Sequence, residues 1–197
     1  MFAIDYDGVI ANTNLMKSRW IQERLGLDVP PFLCDRTDCV PLIGEPAYSA
    51  MGDYVYGYEG TMAAPPVPGV EEGVRALAER GPLYLLTARP PTRLEFAREW
   101  LEKSKLAAYF EELSSAADSS KLAIAAAKGC RVMIDDDVRH LVAGHPQVYG
   151  VLLKIGMPAP GSMMPRIEFA DSWEDAARAA QALSRKNEDH LNNPRRS

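Results

Sequence analysis

Phe2-Ala3-Ile4-Asp5-Tyr6-Asp7-Gly8-Val9 is the stretch from which the fold is read. Phe2 to Ile4 make a very short apolar strand, and Asp5 ends it. Asp7 follows two residues on. Gly8 permits the tight backbone turn that brings both carboxylates to one place. Outward from this strand, further short apolar runs recur: Leu83 to Leu86, Arg131 to Ile134, Val148 to Leu153 and Ile167 to Phe169, with a weaker candidate near Glu111 to Ser114.

Amphipathic segments with readable ends lie between these runs. Val70, Val74, Leu77 and Ala78 share one face, and Gly81 follows as a stop signal. Thr92 with Glu95 fits a capping box ahead of Leu94, Ala97 and Leu101. Ser120 is placed to cap a helix over 121–128 that Gly129 closes. Ser172 with Asp175 opens a last helix running to about Ser184. Short strands alternating with helices of this length imply βαβ units, hence a mainly parallel sheet covered by helices on both faces.

Residues 11–68 break the alternation. A helix is expected from about Thr13 to Leu25, with Met16 and Trp20, then Ile21 and Leu25, at i,i+4 spacing. After it come Pro30, Pro31, Pro41 and Pro46, the tyrosines 48, 54, 56 and 58, and a return linker marked by Pro65, Pro66 and Pro68. The segment reads as an insertion folded separately over the sheet. The tyrosines are expected to pack the core of that small unit, stacking on a ligand being the alternative. From Arg185 the chain is polar without periodicity, and a mobile tail over 185–197 is expected.

Composition narrows the function. The 197 residues carry 22 Lys plus Arg against 27 Asp plus Glu, a net charge of -5, with 47% hydrophobic residues. That is the balance of an ordinary globular protein and not of a nucleic-acid-binding surface, which needs a basic field. Arg195 and Arg196 are too little to bind a duplex. Cys34, Cys39 and Cys130 are too few for a disulfide scaffold and lack the partners of a zinc site, so partly buried thiols in a reducing compartment are expected. No run approaches a membrane span, and Asp5 and Asp7 sit where a signal peptide would be apolar. A cytoplasmic protein is the expectation.

The informative polar residues fall at strand ends or helix starts, where open α/β sheets bind ligands. Asp5 and Asp7 follow the first strand. Thr87, Ala88 and Arg89 follow Leu85-Leu86, offering a hydroxyl and backbone N–H groups to an anion. Lys121 sits just inside a helix start. Asp135, Asp136 and Asp137 follow Val132 to Ile134. Carboxylates gathered in one crevice repel each other and need cations. Lys121 supplies one charge, and Mg²⁺, a hard ion suited to carboxylate oxygens, would supply two.

These elements, in this order, resemble the four motifs of the haloacid dehalogenase-like (HAD) hydrolase superfamily, over roughly 1–10 and 69–184. The insertion at 11–68 lies where that family places its first type of cap domain, so the resemblance implies a Rossmann-like α/β core with a small, mainly helical cap after strand one. It implies that Asp5 attacks phosphorus to form an aspartyl-phosphate and that Asp7 acts as acid, then base. Thr87, the Ala88 N–H and Lys121 would hold the phosphoryl oxygens. Mg²⁺ would be held by Asp5, the Asp7 backbone carbonyl and either Asp135 or Asp136. Asp136 is favoured, with Asp135 bonded to metal-bound water or Lys121, and Asp137 capping the next helix.

A carboxylate at position 7 is similar to the phosphohydrolase branches and unlike the dehalogenases. Lys17, the lysine of the insertion, has no support for the Schiff-base role of the phosphonatase branch. Asp-x-Asp-Gly-Val-Ile-Ala and the early cap helix are similar to the 5'(3')-deoxyribonucleotidase-like group, which makes a nucleoside monophosphate the expected substrate. A phosphatase or phosphomutase for a sugar phosphate or other small metabolite is the alternative. A non-catalytic phosphate-binding protein is the alternative of another class. Arg89 is a candidate substrate contact, or a partner for a cap carboxylate such as Glu45 or Asp53. His140, His145 and His190 show no ligand or triad spacing.

Overall fold

The computed structural model describes residues 1–162 and 164–192, with the backbone alone over 187–192. Its sheet is built from β1 (Phe2–Ile4), β2 (Leu83–Thr87), β3 (Phe110–Ser115), β4 (Val132–Asp135), β5 (Tyr149–Leu153) and β6 (Ile167–Ala170). The order is β3-β2-β1-β4-β5-β6, and every neighbouring pair is parallel. β1 is central: Ile4 lies opposite Leu85 on one side and Ile134 on the other. The weak candidate near Glu111 is β3, an edge strand whose half-exposed residues explain its faint apolar signal.

Side chains alternate across the sheet, as a pleated strand requires. Phe2, Ile4, Leu83, Leu85, Val132 and Ile134 pack on one face with Val74 and Leu77 of α5 (Val70–Ala78), Ala97 and Leu101 of α6 (Pro91–Lys103), and Ala176 and Ala180 of α9 (Trp173–Asn192). Ala3, Leu86, Met133 and Leu152 pack on the other with Leu122 of α7 (Lys121–Ala127) and Leu141 of α8 (Val138–Val142). The expected two-sided α/β architecture is the observed one. Close packing of α5 on α9 depends on Gly73: a Cβ there would lie 2.3 Å from the buried Trp173 ring.

The 11–68 segment is helical, with α1 (Thr13–Leu25), α2 (Arg36–Ile43), α3 (Glu45–Val55) and α4 (Tyr58–Ala63). α1 begins and ends where its periodicity predicts, capped by the Asn12 side chain at 3.1 Å from the Leu15 N–H. The segment's buried apolar residues are Ala11, Met16, Ile21, Val29, Cys34, Cys39, Met51, Val55, Ala64 and Val67. Tyr54 and Tyr58 are exposed and are not part of its core, whereas Tyr48 and Tyr56 are half-buried, packed against that core and along a cavity wall. Cysteines and aliphatics fill the centre of this small unit. The cysteines are all free and buried.

Other details differ from the sequence reading. α6 starts at Pro91, whose fixed φ suits the first helical position, so Thr92 lies inside the helix and makes no capping box. α9 runs past Ser184 to Asn192, so the boundary drawn there falls within a helix; residues 193–197 of the expected tail lie outside the described residues. Ser120 and Ser172 do cap: the Ala123 N–H lies 3.3 Å from Ser120 Oγ, and the Asp175 N–H lies 3.2 Å from Ser172 Oγ. Among the described residues no helix is long and apolar enough to cross a membrane.

Candidate active site

The strand order reverses between β1 and β4, and a crevice opens beyond their carboxyl ends. Asp5 continues β1, its N–H bonded to the Ile134 carbonyl at 2.9 Å, so its side chain is fixed by the sheet. Asp135 ends β4, and Asp136 and Asp137 follow it. Gly8, at φ +78°, turns the chain after Asp7 so tightly that a Cβ would lie 2.2 Å from Asp136 Oδ2 and 2.6 Å from Asn14 Nδ2. Only glycine fits that contact and that backbone angle.

A cavity of about 200 Å³ lies here, walled on the sheet side by Asp5, Asp7, Ala88, Arg89, Lys121 and Asp136. From the 11–68 side it is closed by Lys17, Asp35, Arg36, Tyr48 and Tyr56. Lys121 Nζ donates to Asp135 Oδ2 at 2.8 Å and lies 2.8 Å from Asp5 Oδ1, an ion-pair distance without hydrogen-bond alignment. That Asp5 oxygen is buried and accepts no hydrogen bond. Thr87 is fully buried behind the wall; its hydroxyl accepts the Arg89 N–H at 3.1 Å and approaches Asp7 Oδ2 at 3.4 Å.

The carboxylates of this crevice divide by their surroundings. Burial, reinforced by Asp135, Asp136 and Asp7, pushes the Asp5 carboxyl well above the usual range in spite of Lys121. Burial and the neighbouring Asp135 push Asp136 up to about 6. Asp135 is equally buried, yet Lys121 and His140 hold it below its ordinary value. Both of its oxygens are in use: His140 Nδ1 lies 3.1 Å from each, and the Asp137 N–H donates to Oδ1 at 2.9 Å. Asp137 caps α8 by accepting the Arg139 N–H at 2.9 Å.

Asp5, Asp135 and Asp136 each present an oxygen, all within 4.8 Å of one another. Two carboxyls raised first by burial and then by neighbouring carboxylates, in spite of Lys121 beside Asp5, mark a place that further positive charge would relieve. A hard divalent cation fits them. With Asp135 committed to Lys121 and His140, Asp5 and Asp136 are the carboxylates free to hold it.

Arg89 pairs with neither Glu45 nor Asp53; those carboxylates take Arg36 and Arg93. Arg89 grips Asp7 instead, with Nε 2.9 Å from Oδ2 and Nη2 2.8 Å from Oδ1. The ends of β1 and β2 lie side by side in the sheet and bring these two residues together in the crevice, whereas Glu45 and Asp53 sit at the exposed rim. Asn14 carries no signal in the sequence, and Lys17 and His140, set aside there, do line the cavity. Asn14 Nδ2 donates to Asp136 Oδ2 at 2.6 Å, and Lys17 Nζ donates to Asn14 Oδ1 at 3.0 Å. The Asn14–Asp136 contact leaves no trace in local spacing, because the two residues lie 122 positions apart; Lys17 and Asn14 are neighbours three apart on α1. His145 is half-buried away from the cavity, and the side chain of His190 lies outside the described residues.

No family model matches the sequence, and no curated protein does. Solved structures do. A predicted phosphoglycolate phosphatase from Haemophilus somnus is 17% identical, with a TM-score of 0.59 over 92% of this chain and 97% of its own. A HAD family hydrolase from Deinococcus radiodurans with bound phosphate and sodium is 18% identical, with a TM-score of 0.53 over 93% and 96%. A HAD-hydrolase from Bacillus subtilis bound to magnesium is 11% identical, with a TM-score of 0.55 over 91% and 97%. The chain has the HAD-like hydrolase fold. Its β1 and β4 ends lie at the switch point of the sheet, and the helical 11–68 segment that closes the crevice is called the cap below for its position alone.

Proposed function

We propose that this protein is a phosphomonoester hydrolase working through an aspartyl-phosphate on Asp5. The observation that carries the reading is the convergence of Asp5, with its unbonded buried oxygen, on Lys121, Asp7 and Asp136 in one cavity. Asp5 attacks phosphorus in line as the ester P–O bond breaks, and Asp7 gives its proton to the leaving oxygen. Asp7 then takes a proton from the water that hydrolyses the acyl-phosphate, releasing inorganic phosphate and restoring Asp5. Lys121 neutralises charge on Asp5 and the phosphoryl group, and Thr87 and the Ala88 N–H orient its oxygens. Asp5, Asp136 and the Asp7 carbonyl would hold Mg²⁺, which would supply charge neutralisation for attack on an anionic ester.

The leaving group we propose is a nucleoside, with Tyr48 and Tyr56 as stacking faces on the cavity wall. One observation favours a second reading, a smaller metabolite such as a sugar phosphate: the cavity of about 200 Å³ is below the roughly 300 Å³ at which ligand pockets usually begin. A phosphatase screen with Mg²⁺ over nucleoside monophosphates, sugar phosphates and other small phosphoesters tests both. Turnover of nucleotides, lost in Asp5→Asn and without Mg²⁺, supports chemistry and substrate together. Turnover of other esters alone keeps the chemistry and rejects the nucleotide; Asp5→Asn retaining activity rejects the mechanism.

A further inference from the structure

Arg89 has donors on each of its three guanidinium nitrogens engaged by protein. Nε and Nη2 hold the two oxygens of Asp7 at 2.9 and 2.8 Å, and Nη1 donates to Thr61 Oγ1 of α4 at 2.7 Å. The guanidinium lies between two aromatic faces, 4.9 Å from the Tyr6 ring centroid and 5.4 Å from that of Tyr56. Its side chain is only 3% exposed, yet both Arg89 and Asp7 line the cavity. A planar fork closed on two oxygens is the geometry in which a guanidinium also grips a phosphoryl group.

This pairing conflicts with the work assigned to Asp7. A carboxylate with both oxygens on one guanidinium, and Oδ2 also approached by the Thr87 hydroxyl at 3.4 Å, is not placed to pass a proton to a leaving group. A guanidinium closed on Asp7 is equally unavailable to substrate. One exchange resolves both conflicts, since a phosphoryl group offers the same pair of oxygens that Asp7 does.

We propose that Arg89 is the receptor for the substrate's phosphoryl oxygens, and that Asp7 and phosphate compete for it: binding of phosphate transfers the guanidinium from Asp7 to the anion and frees Asp7 for proton transfer. Thr61 keeps the third donor in place, so the guanidinium pivots about Nη1 and the exchange is tied to the position of the cap. The inference rests on the phosphohydrolase reading above.

Calorimetric titration of the full chain with inorganic phosphate in the presence of Mg²⁺ tests it. If Asp7 occupies the receptor in most molecules, apparent affinity is reduced by the fraction that is free, so Asp7→Asn should bind phosphate at least about fivefold tighter than wild type. Adding Arg89→Met should abolish that gain. The double variant removes both charges and leaves neither buried alone, which favours its folding. Should it fail to fold, Asp7→Asn with Arg89→Lys keeps the charge without the fork and should lose most of the gain. The inference is overturned if Asp7→Asn binds no tighter, or if the gain survives Arg89→Met, because relief of charge repulsion would then suffice. Wild type hydrolysing phosphoesters through Asp5 while showing no such coupling removes the exchange and leaves the phosphohydrolase reading standing. Absence of both phosphate binding and turnover in wild type and variants removes both.

Discussion

At the level of single residues, the site is built by neighbours that leave one another little room. Gly8 shows this most directly, because its missing side chain is the space that Asp136 Oδ2 and Asn14 Nδ2 occupy. Gly8→Ala combines a positive φ with a 2.2 Å contact, and should cost about 2 kcal/mol or more. Urea unfolding measures that loss. Because Asp136 must shift to make way, the Mg²⁺ concentration for half-maximal phosphatase rate should rise as well; a variant with unchanged stability and metal dependence would show that the turn tolerates a side chain. The residues that carry charge were readable in the sequence because each ends a strand or starts a helix. Their partners, Asn14 for Asp136 and His140 for Asp135, were not. A hydrogen bond between α1 and the β4 end depends on how the two elements are brought together, and no local spacing encodes it.

Among the elements, the cap is joined to the core by a buried ion pair as well as by covalent linkers. Lys154, just after β5, donates to Asp35 Oδ2 at 2.6 Å and to the Phe32 carbonyl at 3.0 Å. Burial opposes ionisation of Asp35, but the Lys154 bond and the Asp38 N–H outweigh it and hold the carboxyl below its ordinary value of 3.8. A carboxyl depressed on folding contributes stability that is present above its unfolded value and lost as pH falls through the folded one. Asp35→Asn retains the helix-capping oxygen but leaves the Lys154 ammonium buried without a counter-charge, at a cost of about 3 kcal/mol. Thermal unfolding of variant and wild type should therefore differ most near neutral pH, the gap beginning to narrow only below 3.8 and closing once the pH falls through the lower folded value. A gap that is constant across this range would mean that the pair contributes through shape and not charge. Element ends followed local chemistry where a cap residue was decisive, as at Ser120 and Ser172, and departed from it at Thr92, where Pro91 takes the first helical position.

For the whole molecule, cap and core meet over the crevice, and the chain crosses between them near residues 10–13 and 65–69. These linkers pair with each other: the Asn12 N–H donates to Pro65 at 2.7 Å and the Val67 N–H to Ile10 at 2.9 Å. A paired ribbon bends as one unit, so the cap is expected to open and close about it, controlling when water reaches the acyl-phosphate. Distances between fluorophores on α3 and α6, measured in solution with and without phosphate and Mg²⁺, should change; identical distances would reject the motion. By itself the sequence determined the α/β core and the strand-end and helix-start residues that carry charge. It could do so because burial on both faces of a parallel sheet forces apolar strands, and because their ends are where polar side chains can lie. The tertiary structure alone decided which of those residues face each other. It set Arg89 on Asp7 and Asn14 on Asp136, and it left Tyr48 and Tyr56 at a cavity wall. Those pairings are fixed by the distance and angle at which separate elements pack, which periodicity along one chain does not contain.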